Sequence, residues 1–197
     1  KDRLYTYAKN SHSRRCAQTV LAEILTDLLK LLAPVLSHTC DEAWQGMPAG
    51  LKTTDNIHLS LFPEKKEAYT MSDETRGHWA ELLRLRGIVS KSLETMRQDK
   101  VIGSSLEAEV TLVPGTKSLE AILKLYEEKL PSIFIVSKCS VAEFSDEASK
   151  SDEGILVMAE KSSYEKCKRC WNFRESVGID KVHPQICSRC VEQLGVS

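Results

Sequence analysis

The sequence has no stretch of eighteen consecutive apolar residues, so no segment is expected to span a membrane. Its opening, KDRLYTYAKN, lacks the apolar centre of a secretory signal. It also lacks net charge: 27 basic residues against 28 acidic ones leave −1, which gives no overall pull toward nucleic acid. The seven cysteines are an odd number, whereas a secreted disulfide framework would use an even one; a reducing intracellular compartment fits better. No Ser-His-Asp grouping, no paired carboxylates and no glycine-rich nucleotide loop stands out, and no catalytic residue is assigned. Gly103-Ser104-Ser105 follows a helical pattern, precedes a strand pattern and has no P-loop lysine, so it is expected to be a linker bend.

What the chain does have lies near its end. Cys167/Cys170 and Cys187/Cys190 form two Cys-x-x-Cys pairs separated by sixteen residues. Each pair can turn both sulfurs toward one ion, and the intervening length suits a short β-hairpin that returns the second pair to the first. A structural zinc ion with these four ligands is therefore expected, with two separate dithiols as the bland alternative. His183 is nearby, but four better-spaced thiolates already fill the site. Cys16, Cys40 and Cys139 stand singly in apolar or mixed stretches and are expected to be small buried hydrophobes.

Charge is polarised toward this end. Residues 161–197 hold seven Lys/Arg against four Asp/Glu, a formal +3, which leaves −4 for residues 1–160. Four thiolates around a dication would carry −2, so the loaded segment falls near +1. Lys166, Lys168, Arg169, Trp171, Phe173 and Arg174 surround the first pair, and Arg189 sits in the second. Rings interleaved with cations suit single-stranded RNA, because unpaired bases stack on rings while cations meet phosphates. The competing reading makes Trp171 and Phe173 cover for a minimal core and the cations a solvated rim. His12, Ser13, Arg14 and Arg15 could touch RNA phosphates, but exposed charges at a helix start are usually just solvated.

Periodicity outlines the remainder. Val20, Leu21, Ile24, Leu25, Leu28, Leu29, Leu31 and Leu32 recur at helical steps between Ser11 and Ser37, so this helix is expected to bury that face. Pro34 kinks or ends it, and Thr39 with Glu42 resembles a capping box that starts a further turn through Trp44. A loop, GMPAGLKTTDN, precedes the short alternating piece IHLSLFP. A second helix from Ser72 or Asp73 to about Lys100 presents Trp79, Leu82, Leu83, Leu85, Val89, Leu93 and Met96. It would be about 40 Å long and suits an antiparallel bundle. Leu106, Ala108, Val110 and Leu112 then alternate as in a strand, residues 118–130 read as a helix, and SIFIVSKC and EGILVMAE as two more strands. Fold class is α+β: a partial helical bundle, then a small α/β unit ending in the four-cysteine zinc hairpin. Three domains are expected, at 1–102, 103–160 and 161–197.

Three blocks resemble one family. KDRLYTYAKNSHSRRCAQTVLAEILTDLLKLLAPVLSHTCDEAW resembles the helical anticodon-binding domain of isoleucyl-tRNA synthetases. NIHLSLFP and LRGIVSKSLETMRQDKVIGSSLEAEVTL are similar to the segment that follows it. KCKRCWNF and HPQICSRC are similar to the C-terminal zinc module of bacterial-type and organellar members, a module shared with formamidopyrimidine-DNA glycosylases. His38 and Cys40 depart from the aromatic and alanine common there, which touches local packing only. Between residues 114 and 153 the match is weak.

The resemblance implies a piece of a longer enzyme that joins isoleucine to its tRNA using ATP, this piece gripping the anticodon stem-loop of tRNA-Ile. ATP would belong to a catalytic domain whose His-Ile-Gly-His and Lys-Met-Ser-Lys-Ser signatures do not occur here. The implied protein is a monomer without membrane attachment, and the bacterial-type module in a serine- and lysine-rich, cysteine-tolerant chain favours the mitochondrial matrix over the bacterial cytoplasm. Two rivals are a zinc-ribbon protein-interaction module and the zinc-finger tail of a DNA-repair glycosylase.

Overall fold

A computed structural model describes residues 2–195. Lys1, Val196 and Ser197, at the outer ends of the expected domains, lie outside the described residues. By contacts the chain forms two compact units, Lys1–Thr70 with Glu192–Ser197, and Met71–Val191.

The first unit contains α1 (Asp2–Tyr5), α2 (His12–Leu32) and α3 (Ser37–Gln45). The Ser11 hydroxyl accepts from the Arg14 amide and starts α2, and helical structure stops at Leu32, just before Pro34. The expected capping box does not form, because α3 already begins at Ser37 and Thr39 lies inside it. The core is small: Leu29, Ala33, Cys40, Trp44, Met47 and Ile57. Trp44 is fully buried, and its indole donates to the Thr54 carbonyl at 2.9 Å, so one large side chain anchors the loop after α3. The alternating piece IHLSLFP is a 3-10 turn at Ile57–Leu59 followed by residues without regular structure.

The stripe on α2 departs from expectation. Only Leu29 is buried, whereas Val20, Leu21, Ile24, Leu25, Leu28 and Leu31 are 42–57% exposed. Periodicity establishes an apolar face, but burial also requires a partner, and within this unit α2 turns its opposite side to the core. Cys16 is exposed too, its sulfur 3.3 Å from His12 Nε2.

In the second unit the long helix α4 (Asp73–Gln98) is capped by the Ser72 hydroxyl, which accepts from the Thr75 amide. Its buried residues are Leu82, Leu85, Val89 and Leu93, while Leu83 is exposed. These four join β1 (Ala108–Pro114) in one core, so α4 packs on a sheet. Strand β1 alternates buried and half-buried positions along its length. From it the chain passes through α5 (Lys117–Leu125) and α6 (Leu130–Phe134) to β2 (Lys138–Val141), which pairs parallel to β1 from Glu109↔Lys138 to Leu112↔Val141. A parallel pair needs such a helical crossover. After α7 (Asp146–Ser149), β3 (Ile155–Lys161) pairs antiparallel on the other side of β1.

SIFIVSKC is therefore split: residues 132–134 end α6, residues 135–137 link, and residues 138–139 begin β2. Pro131 sits in the first turn of α6, where its missing amide costs nothing, and Ile135 ends the helix in the left-handed region at φ 59°. No described helix is long and apolar enough to cross a membrane.

Candidate zinc knuckle and nucleic-acid interface

The chain leaves β3 at Lys161 and turns at once into the cysteine-rich segment. Lys166 and Phe173 form an isolated antiparallel bridge around the first Cys-x-x-Cys pair, a minimal hairpin closed by the Trp171 amide donating to the Cys167 carbonyl at 2.8 Å. The second pair sits at the start of α8 (Ser188–Gly195), where Cys190 is buried. The expected long hairpin between the pairs is absent among the described residues. Turns and bends fill residues 174–186 instead, so the hairpin encloses the first pair and a helix start supplies the second.

Cys167, Cys170, Cys187 and Cys190 are all buried, and their four sulfurs lie within 4.8 Å of one another. A tetrahedron with Zn–S bonds of about 2.3 Å has S···S edges of ~3.8 Å; the Cys170 and Cys187 sulfurs are 3.8 Å apart. Burial pushes the Cys167 thiol up, but backbone hydrogen bonds at Cys170, Cys187 and Arg169 outweigh this and bring it down to about 6. Burial and the neighbouring sulfurs push Cys187 and Cys190 upward. Four sulfurs this close oppose one another's ionisation unless a cation lies among them, so the donor set fits a soft dication and leaves no open coordination position. His183 is exposed and not part of this cluster.

Around the sulfurs, Lys166, Lys168 and Trp171 are exposed, while Arg169, Phe173, Arg174 and Arg189 are half-buried. Trp171 is 54% exposed, and its backbone adopts φ 64°, a left-handed conformation that bulky residues rarely hold. Lys166 Nζ lies 5.5 Å from the centre of its ring. The structure thus brings Lys166 and Trp171 together, and the Trp171 ring is not buried as a core residue would be.

Two serines without any sequence pattern tie this segment to the sheet. Ser137 precedes β2 and is 3% exposed; its hydroxyl donates to the Leu106 carbonyl at 2.5 Å and accepts from the Phe173 amide at 2.6 Å. Ser162 donates to Glu109 Oε1 at 2.6 Å, and its amide donates to the Glu107 carbonyl at 2.7 Å. A lone buried serine carries no periodicity or spacing signal, so only the geometry reveals these contacts.

Comparison with known proteins agrees with both parts of this geometry. The family described as "Anticodon-binding domain of tRNA ligase" matches residues 1–112, and "Zinc finger found in FPG and IleRS" matches residues 165–193. The second match and the four-cysteine cluster together support a structural zinc site. The isoleucine–tRNA ligase of Brachyspira hyodysenteriae is 43% identical over 194 residues, covering 98% of this chain and 21% of the relative. Those of Shouchella clausii and Kosmotoga olearia are 38% and 39% identical, each over 98% of this chain and 21% of the relative. The chain spans about a fifth of the length of these curated relatives. With a match over more than half of its residues, this chain belongs to the anticodon-binding domain family of tRNA ligases.

Proposed function

We propose that this chain is the part of an isoleucine–tRNA ligase that grips the anticodon stem-loop of tRNA-Ile, with Cys167, Cys170, Cys187 and Cys190 holding zinc. The observation that carries this reading is Trp171: a half-exposed ring held at positive φ on a four-sulfur scaffold, with Lys166 against it. A strained backbone under an exposed ring is a poor way to cover a core and a good way to present a stacking surface. Zinc supplies the rigidity, since binding at such sites contributes roughly 10–16 kcal/mol, far more than a segment of this size obtains from apolar burial. The ion activates nothing; the chain's own groups do the binding. Trp171 and Phe173 offer ring faces to unpaired bases, while Lys166, Lys168, Arg169, Arg174 and Arg189 meet phosphates.

Joining isoleucine to tRNA with ATP is then the work of the remainder of the parent polypeptide, which acts as a monomer. That remainder also covers the apolar face of α2, which has no partner within its own unit. A reducing compartment suits the thiols. The mitochondrial matrix, favoured on composition, stands beside a bacterial cytoplasm, and the three relatives named above are bacterial.

Titration of the zinc-loaded chain with a tRNA-Ile anticodon stem-loop, an unrelated RNA hairpin and a damaged DNA duplex tests the reading. Preference for the first is expected. Preference for the duplex would move the chain toward the glycosylases, and indifference to all three would make the knuckle a protein-interaction module.

A further inference from the structure

We propose that Ser137 is a positioning residue, a single buried hydroxyl that locks the first turn of the zinc knuckle to the sheet and sets the orientation in which Trp171 and Phe173 are presented. A zinc knuckle folds around its own ion, but folding alone does not fix which way its rings point. The cysteines hold the turn together from within, and Lys161–Glu165 is a short tether with no regular structure beyond the end of β3. Orientation must come from contacts between the knuckle and the sheet.

Ser137 provides the central one. Its hydroxyl is engaged in both directions, donating to Leu106 in the turn before β1 and accepting from Phe173 in the turn around the first cysteine pair. Its own amide donates to the Ala108 carbonyl at 3.2 Å, which fixes the serine to the start of β1. Three stretches distant in sequence therefore meet at one oxygen, 31 residues from Leu106 and 36 from Phe173. Phe173 in turn bridges to Lys166, whose ammonium lies against the Trp171 ring. A shift of the Phe173 amide would carry the ring and the cation with it. Ser162 anchors the sheet end of the tether at Glu107 and Glu109, and Ser137 holds the turn beyond it against rotation about that point.

The part of this inference that concerns RNA rests on the anticodon reading; the clasp itself does not. The test compares Ser137→Ala and Ser137→Thr with the parent chain, all zinc-loaded. Four quantities are measured: bound zinc, the far-ultraviolet spectrum, hydrogen exchange at the Phe173 amide, and affinity for the tRNA-Ile anticodon stem-loop. Ser137→Ala is expected to keep its zinc and its far-ultraviolet spectrum while the Phe173 amide exchanges on the order of tenfold faster, the effect of losing one such bond. RNA affinity should fall several-fold, and Ser137→Thr, which keeps the hydroxyl, should restore both. Unchanged exchange in Ser137→Ala overturns the clasp. So does loss of zinc or of the sheet, because the hydroxyl would then belong to folding rather than to orientation. Faster exchange with undiminished RNA affinity overturns the positioning role. If the parent chain binds no RNA at all, the anticodon reading fails while the exchange result still decides the clasp.

Discussion

At the scale of single residues, Trp171 separates a packing role from a binding one. Its φ of 64° costs an L-residue about 1–2 kcal/mol, a cost glycine does not bear. With the ring 54% exposed, little burial is lost on removing it. Trp171→Gly should therefore hold zinc at least as firmly as the parent chain while losing RNA affinity by about 1–3 kcal/mol, the worth of one stacked base. Metal stoichiometry and a binding titration on the same sample would check this, and a variant that releases its zinc would return Trp171 to the core. The lone cysteines give a second test. Cys139 is 7% exposed, and burial, with Glu127 nearby, pushes its thiol up to about 12 from an ordinary 9. Because the folded value is raised, the stability tied to the neutral thiol is fully present below pH 9 and is lost as pH rises toward 12. The melting temperature should fall across that window, and Cys139→Ala should flatten the fall. Exposed Cys16 should alkylate at neutral pH in the folded chain, whereas Cys139 should wait for unfolding.

At the scale of elements, the sheet depends on a close approach that a side chain would block. A Cβ at Gly115 would stand 2.6 Å from the Gly154 carbonyl and 2.8 Å from the backbone of Ser149, and the Gly115 amide donates to that same carbonyl at 3.0 Å. All these atoms are backbone, so nothing can swing aside. Gly115→Ala should lower stability by roughly 2 kcal/mol or more through displaced strand ends, while Gly50→Ala, with open space around it, should have little effect in the same denaturant titration. Legibility follows the same physics. Helix α4 and strand β1 could be read from sequence because each has one partner face and a clean period. SIFIVSKC could not, because a short apolar run serves either a buried turn of helix or a strand, and tertiary contacts decide; Pro131 at the helix start was the available signal. The four sulfurs were legible because metal chemistry dictates spacing. Ser137 was not, since a hydrogen bond to a residue 36 positions away leaves no local trace.

At the scale of the molecule, the unresolved requirement is the face of α2. Leu21, Ile24, Leu28, Leu31 and Val35 recur at alternating steps of three and four and are 47–79% exposed, the spacing of a seam meant for another helix. Monomeric soluble proteins rarely leave so large a contiguous apolar patch in water. The relatives matched here are about five times the length of this chain, and under the proposed function a helix from such a longer polypeptide would supply the cover. Taken alone, the 197-residue chain should then self-associate through this face. Sedimentation should show a mass that rises with concentration, and Ile24→Lys combined with Leu28→Lys should return it to a single monomeric species. Both side chains are about half exposed, so the double variant should lose little stability and should leave zinc content untouched. A parent chain that stays monomeric at hundreds of micromolar would mean that this face tolerates water and needs no covering helix.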